Sequence, residues 1–196
     1  ISHRDRRFRD LPQGARVGTS SLRRILLAHA LRSDLEYVPL RGNVDTRIRK
    51  ARSGEVDAVI LAFAALKRLG REQEAAEMFD LETFLPAAGQ GRLAVEGRTD
   101  DPSASAWART VDDPSEHLCW RAEQAFLLKL EGGCKIPLGA HAVMQKGRLF
   151  LRVVKGTRMG EPLLQTEGRG STDSPEDLGI RLAEEILEQE RSRGHT

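Results

Sequence analysis

The chain has 196 residues, enough for one large domain or two small ones, and its 39% apolar and 31% charged residues match an ordinary globular protein. Its 31 Lys and Arg against 29 Asp and Glu leave a net charge of +2, which argues against bulk nucleic-acid binding, and no apolar run approaches a membrane span. The two cysteines, Cys119 and Cys134, build neither a disulfide framework nor a zinc site, and no signal peptide is visible, so a cytoplasmic setting is expected.

The charge is unevenly placed. The first fifty residues hold Arg4, Arg6, Arg7, Arg9, Arg16, Arg23, Arg24, Arg32, Arg41, Arg47 and Arg49, while Glu184, Glu185, Glu188 and Glu190 make the C-terminal stretch acidic. A basic first half points to an anionic partner on that side. The chain begins with Ile1 rather than Met, as a processed product or a fragment would.

In chain order, "ARVGTSSLRRILLAHALR" predicts a short strand, a polar turn and a helix whose apolar face includes Leu22, Ile25 and Leu26. "LEYVPLRGNV" predicts a strand ending in a glycine turn, and "NVDTRIRKARSG" a helix with Asn43 as N-cap and Gly54 at its end. "VDAVILAF" has the continuous apolar character of a strand buried on both faces. "AALKRLGREQEAAEMF" predicts further helix, interrupted near Gly70. Three alternations of strand and helix imply a parallel sheet with helices on its faces.

"LPAAGQGRLAVEGR" predicts a glycine-broken connection leading into a strand. Two helices follow, one capped by Asp101 with Pro102 at its first position, the other capped by Asp113 or Ser115 and ended by Gly132 and Gly133. Trp107 and Trp120 read as core residues, and Cys119 as a buried structural thiol. A hairpin turning at Lys146-Gly147, a third strand in "PLLQTEGRG" and a closing helix capped by Ser174 make the last third a small α+β unit. The best boundary from composition lies near Val111–Pro114.

Several stretches carry potential chemistry. "GTSSLRR", residues 18–24, sits where a strand hands over to a helix, and free N–H groups there suit an anion. Thr19, Ser20 and Ser21 add hydroxyls, while Arg23 and Arg24 add guanidinium forks; a plain Ser/Thr cap followed by two solvated arginines is the competing reading. "LRGNVDTR" puts Arg41 at the C-terminal end of a strand, where open α/β sheets bind ligands, and Arg47 one helical turn on. Four arginines on one rim suit a ligand with several carboxylates. "LKRLG" offers Lys67 or Arg68 to the same rim, and "AAGQGRLAVE" sets Gln90 between two glycines, as a hinge or a clamp. In "LEGGCKIPLG", Cys134 follows two glycines and precedes Pro137, with Lys135 adjacent to favour the thiolate. That is a thiol placed for covalent attachment or nucleophilic work. No histidine stands at metal or protease spacing.

"VGTSSLRR", "LRGNVDTR", "DAVILAFAALKRLG", "LPAAGQGRLAVE" and "LEGGCKIPLG", in this order, resemble the porphobilinogen deaminase (hydroxymethylbilane synthase) family from about Val17 to the final helix. The resemblance implies a dipyrromethane cofactor held by a thioether to Cys134. This primer is extended by four porphobilinogen units with loss of ammonia, and hydroxymethylbilane is then released by hydrolysis. It implies cofactor binding by Thr19, Ser20, Ser21, Arg23 and Arg24, and substrate binding by Arg41, Gly42, Asn43, Arg47, Arg68 and Gln90. No metal is implied, nor any nucleic-acid or membrane partner, and the complete protein is expected to be a monomer. The implied architecture is an α/β, periplasmic-binding-protein-like lobe at 1–86, a return crossing at 87–111 and a small α+β domain at 112–196. The family's N-terminal lobe, which carries its catalytic aspartate, is expected to be missing, so no catalytic residue is assigned and the chain by itself is expected to be inactive. Ala65 stands where the family usually has glycine. Arg92 stands where it has a small residue, and there Arg92 either intrudes on the hinge or adds a carboxylate contact. A non-catalytic anion-binding module of periplasmic-binding type is the alternative; it explains the arginine rim but leaves the Cys134 loop without a purpose. A cysteine hydrolase lacks a placed histidine.

Overall fold

The computed structural model describes residues 1–131 and 136–194. Cys134, Gly132, Gly133 and Lys135 lie outside the described residues. The described chain divides into two compact units: 1–85 with 136–138 and 155–164, and 86–131 with 139–154 and 165–194.

The first unit is built on a parallel sheet of β1 (Arg16–Gly18), β2 (Glu36–Val38) and β3 (Ala58–Val59) in the order β2-β1-β3, with Val17 opposite both Tyr37 and Ala58. Helices α1 (Leu22–Leu31), α2 (Val44–Arg52) and α3 (Phe63–Arg68) follow the three strands in turn. As the alternation requires, a parallel pair needs a crossover, and each crossover here is a helix. Leu40, Ala51, Val56 and Val59 form one buried cluster beneath α2, with Val38 and Leu61 packed against it. Asn43 caps α2 by accepting from the Thr46 N–H at 2.9 Å. Gly42, just before it, has φ +123°, and a Cβ there would meet the Thr46 methyl at 2.7 Å. Only glycine fits that turn.

The helix expected to continue beyond Gly70 does not form. The Arg71 N–H returns to the Leu66 carbonyl (3.0 Å) and the Gly70 N–H to that of Lys67 (3.2 Å), with Gly70 at φ +64°, so a left-handed glycine closes α3. A 3-10 turn, Glu72–Glu74, follows. Phe79 then stacks on Phe84 (4.3 Å between centroids) and meets Phe8 edge-on (5.2 Å), and these ring contacts hold the segment in a non-helical path.

The second unit contains α4 (Pro102–Thr110), α5 (Pro114–Lys129), α6 (Pro175–Arg193) and, apart from end residues, the antiparallel sheet β4 (Leu138–Gln145), β5 (Arg148–Lys155), β6 (Leu164–Gly170). Lys146 and Gly147, at φ 50° and 75°, make the tight turn between β4 and β5. Leu149, Leu151 and Val153 point inward from β5 with no exposure. Helices α5 and α6 cross closely at Gly179, where a Cβ would sit 2.2 Å from the Ala122 carbonyl oxygen. Asp101 and Asp113 cap α4 and α5. Ser174 makes no cap bond to α6, which starts directly at Pro175.

Two further expectations fail. Trp107 is 75% exposed and Trp120 40%, so neither is core: α4 buries no residue, and the buried stripe of α5 runs through Cys119, Ala122 and Phe126. The strand expected after Gly91 is absent among the described residues; Leu93 and Val95 are largely exposed, with no neighbouring strand to bond.

Candidate anion-binding site

The C-terminal ends of three parallel strands meet at one edge of the first sheet, and the polar turn after β1 is laced to the turn after β2. The Thr19 N–H donates to Val38 O at 3.0 Å. The Ser20 hydroxyl donates to Leu40 O (3.0 Å) and accepts from the Leu40 N–H (3.1 Å), acting as one more rung of the ladder. Thr19 Oγ1 accepts from the Ser21 N–H, and Ser21 Oγ in turn caps α1 by accepting from the Arg24 N–H. These hydroxyls therefore shape the backbone, and the cap and the anion site are the same structure.

The arginines rise from that frame. Arg23 is buried and donates to Leu85 O, and burial with Arg24 nearby pushes its pKa down to about 10. Arg24 donates to Ile60 O at 3.0 Å; burial, and secondarily the Arg47 charge, holds its guanidinium below the usual range. Arg47 Nε donates to Gly42 O at 2.8 Å. Arg41 is exposed and makes no bond among the described residues. Asp45, in the first turn of α2, is drawn away to Arg71. Arg24, Arg41 and Arg47 thus form no ion pair with a carboxylate among the described residues. Arg24 and Arg47 are steadied only by backbone carbonyls and Arg41 by no bond among the described residues, and like charges collected in this way are suited to an anionic ligand.

The structure brings together Thr19, Ser20, Ser21, Arg24, Arg47, Gly42 and Asn43, with Arg23 and Arg41 flanking them in sequence. Arg68 stands exposed in the last turn of α3, where no bond ties it to that group. Gln90 belongs to the second unit.

The second unit holds a residue that the sequence reading missed. Glu123, 1% exposed, accepts from the N–H groups of Gly89 and Ala142, both at 2.7 Å, and from Arg92 Nη1 at 2.6 Å. An acidic residue four positions after Cys119, on the apolar stripe of α5, was the available signal. Arg92 also binds Glu116, so the carboxylates it contacts belong to the protein. Among the described residues, no group of three His, Cys, Asp or Glu is arranged to hold a metal, and no helix is long and apolar enough to cross a membrane.

Cys119 is buried, and its thiol is pushed up to about 11 by that burial, with the Glu116 charge adding to the shift. Its folded state therefore binds the proton more tightly than the unfolded chain. Stability is expected to fall as pH rises from about 9 towards about 11. A Cys119→Ala chain should lack this fall in pH-dependent melting, and at pH 8 native Cys119 should resist alkylation until denaturant is added.

The model of the porphobilinogen deaminase dipyromethane cofactor binding domain matches residues 1–106, and that of the porphobilinogen deaminase C-terminal domain matches residues 117–188. The chain belongs to the porphobilinogen deaminase family. It is 46% identical over 187 residues to the porphobilinogen deaminase of Carboxydothermus hydrogenoformans, covering 95% of this chain and 60% of that protein. It is 46% identical to that of a Roseiflexus species (91% and 59% covered) and 43% identical to that of Desulforudis audaxviator (96% and 61%). The chain therefore spans about three-fifths of the length of these relatives. The family's cofactor-binding domain model covers all three strands and the arginine-lined edge described above.

Proposed function

We propose that this chain is the cofactor-bearing part of a porphobilinogen deaminase (hydroxymethylbilane synthase), a transferase that acts in the cytoplasm together with the N-terminal lobe implied by the family resemblance. The observation that carries the reading is the set Arg24, Arg41 and Arg47 at one sheet edge, with no carboxylate of the chain to neutralise it among the described residues. Pyrroles bearing acetate and propionate groups fit that donor set.

In this reading the first unit is one lobe of a periplasmic-binding-protein-like pair. Arg23 and Arg24, framed by Thr19, Ser20 and Ser21, hold carboxylates of a dipyrromethane attached to Cys134. Arg41 and Arg47, with Gly42 and Asn43 shaping the turn, take those of incoming porphobilinogen; Arg68 and Gln90 are further substrate-binding residues in this reading. When bound, the dipyrromethane supplies the primer that is lengthened by four porphobilinogen units, with loss of ammonia, before hydrolytic release. The chain's own residues orient carboxylates. Proton transfer is assigned to an aspartate of the N-terminal lobe. Residues 87–111 are read as the crossing back towards that lobe, which would cover Leu93 and Val95.

The test is a hybrid joining this chain to the N-terminal portion of the Carboxydothermus hydrogenoformans relative. The hybrid is expected to release ammonia and hydroxymethylbilane from porphobilinogen, and the chain alone to release neither. Arg41→Ala in the hybrid should lower kcat/KM by roughly 100-fold, the value of one or two charge-assisted hydrogen bonds, with Tm unchanged because Arg41 supports nothing in the fold. A hybrid that binds porphobilinogen without turnover would favour the non-catalytic anion-binding module.

A further inference from the structure

We propose that Glu123 is the positioning residue for the bend at 87–91, and that Arg92 is the cation that allows a carboxylate to do this in a dry site. The inference rests on the reading of Gln90 as a substrate-side residue. Gln90 lies between Gly89 at φ +73° and Gly91 at φ +97°, left-handed conformations that favour glycine. The bend closes locally through Gln90 N–H to Ala87 O (2.9 Å) and Arg92 N–H to Gly89 O (3.2 Å). Those bonds set its shape but not its place.

Its place is held by the Ala140 N–H donating to Pro86 O (3.0 Å) just before it and by Glu123 at the bend itself. One carboxylate oxygen takes the Gly89 N–H and Arg92 Nη1, and the other takes the Ala142 N–H of β4. A residue in the middle of α5 thus ties the bend to a helix and a strand that are both rigid. Three donors on one buried group need an acceptor without hydrogens of its own, because an amide would turn an NH2 towards one of them. A buried carboxylate in turn needs a cation, and Arg92 supplies it while its Nε holds Glu116 at 2.9 Å.

The Gly89 amide is the direct probe in the full chain. In Glu123→Gln and in the milder Arg92→Ala, hydrogen exchange at Gly89 and Gln90 is expected to quicken roughly 100-fold relative to α5 amides, and Arg92→Lys to restore most of the protection. Unchanged exchange in both variants, whatever their Tm, overturns the proposal. In the hybrid, Glu123→Gln should raise KM for porphobilinogen about 10-fold with kcat altered less than about 3-fold, and should add nothing once Gln90 is alanine. Independent, multiplying effects of Glu123→Gln and Gln90→Ala would mean that Glu123 does not act through Gln90, and would overturn it. A wild-type hybrid without turnover removes the deaminase reading alone; the exchange of Gly89 then decides whether Glu123 sets the bend.

Discussion

Cys134→Ser in the hybrid with the N-terminal lobe is expected to abolish porphobilinogen turnover and to leave the protein at its unmodified mass, where the wild type gains the mass of a dipyrromethane. A serine hydroxyl is a far weaker nucleophile than a thiolate at neutral pH, so this near-isosteric change removes the attachment. Intact mass measurement separates the outcomes cleanly. An adduct in the wild type that is lost in the variant assigns the thioether to Cys134 and not to Cys119, whose thiol is buried and raised. An adduct retained by Cys134→Ser would place the attachment elsewhere. An unmodified wild type, unchanged after incubation with porphobilinogen, would mean that the arginine rim binds anions in a protein without the chemistry.

The second large effect is expected at Arg24. Arg24→Met keeps most of the side-chain volume and removes a guanidinium that burial and the Arg47 charge already disfavour. It loses one bond to Ile60 O. These effects oppose each other, so stability without ligand should change by no more than about 1 kcal/mol. Affinity for free dipyrromethane, measured in the Cys134→Ser hybrid, should fall roughly 100-fold, since that ligand loses a charge-assisted contact with Arg24. Ligand-dependent melting reads both quantities: with wild-type Arg24 that hybrid gains Tm with free dipyrromethane, and with Arg24→Met it does not. The wild-type gain should also shrink with added salt. A large drop in Tm with affinity intact would make Arg24 a structural strut rather than a ligand contact.

Much of the arginine-lined edge was legible because its signals are local. Asn43 before a helix, a Thr-Ser-Ser turn before Leu22 and alternating strands and helices each follow from a few neighbouring residues, and the caps at Asn43, Asp101 and Asp113 formed as their side chains dictate. The tryptophans were misread because apolar character says that burial is favourable, not that a partner surface exists; α4 buries none of its residues. The strand at 92–97 failed for the same reason, since a strand is stable only when its backbone groups are bonded across to another. The helix past Gly70 was stopped by the left-handed turn at Gly70 itself, and the stacking of Phe79 on Phe84 and its contact with the distant Phe8 hold the following segment out of helix.

By itself, then, the sequence determined which residues carry charge, where most caps and turns fall, and the family to which the ordered motifs belong, because these depend on side-chain chemistry and short spacing. Only the tertiary structure decided how that chemistry is used. It turned the serine hydroxyls to the backbone and left Arg24, Arg41 and Arg47 without carboxylate partners among the described residues. It also took Arg92 into a buried pair with Glu123, a partner 31 positions away. Charge neutralisation and burial are settled by distance in space, and no local pattern encodes that distance.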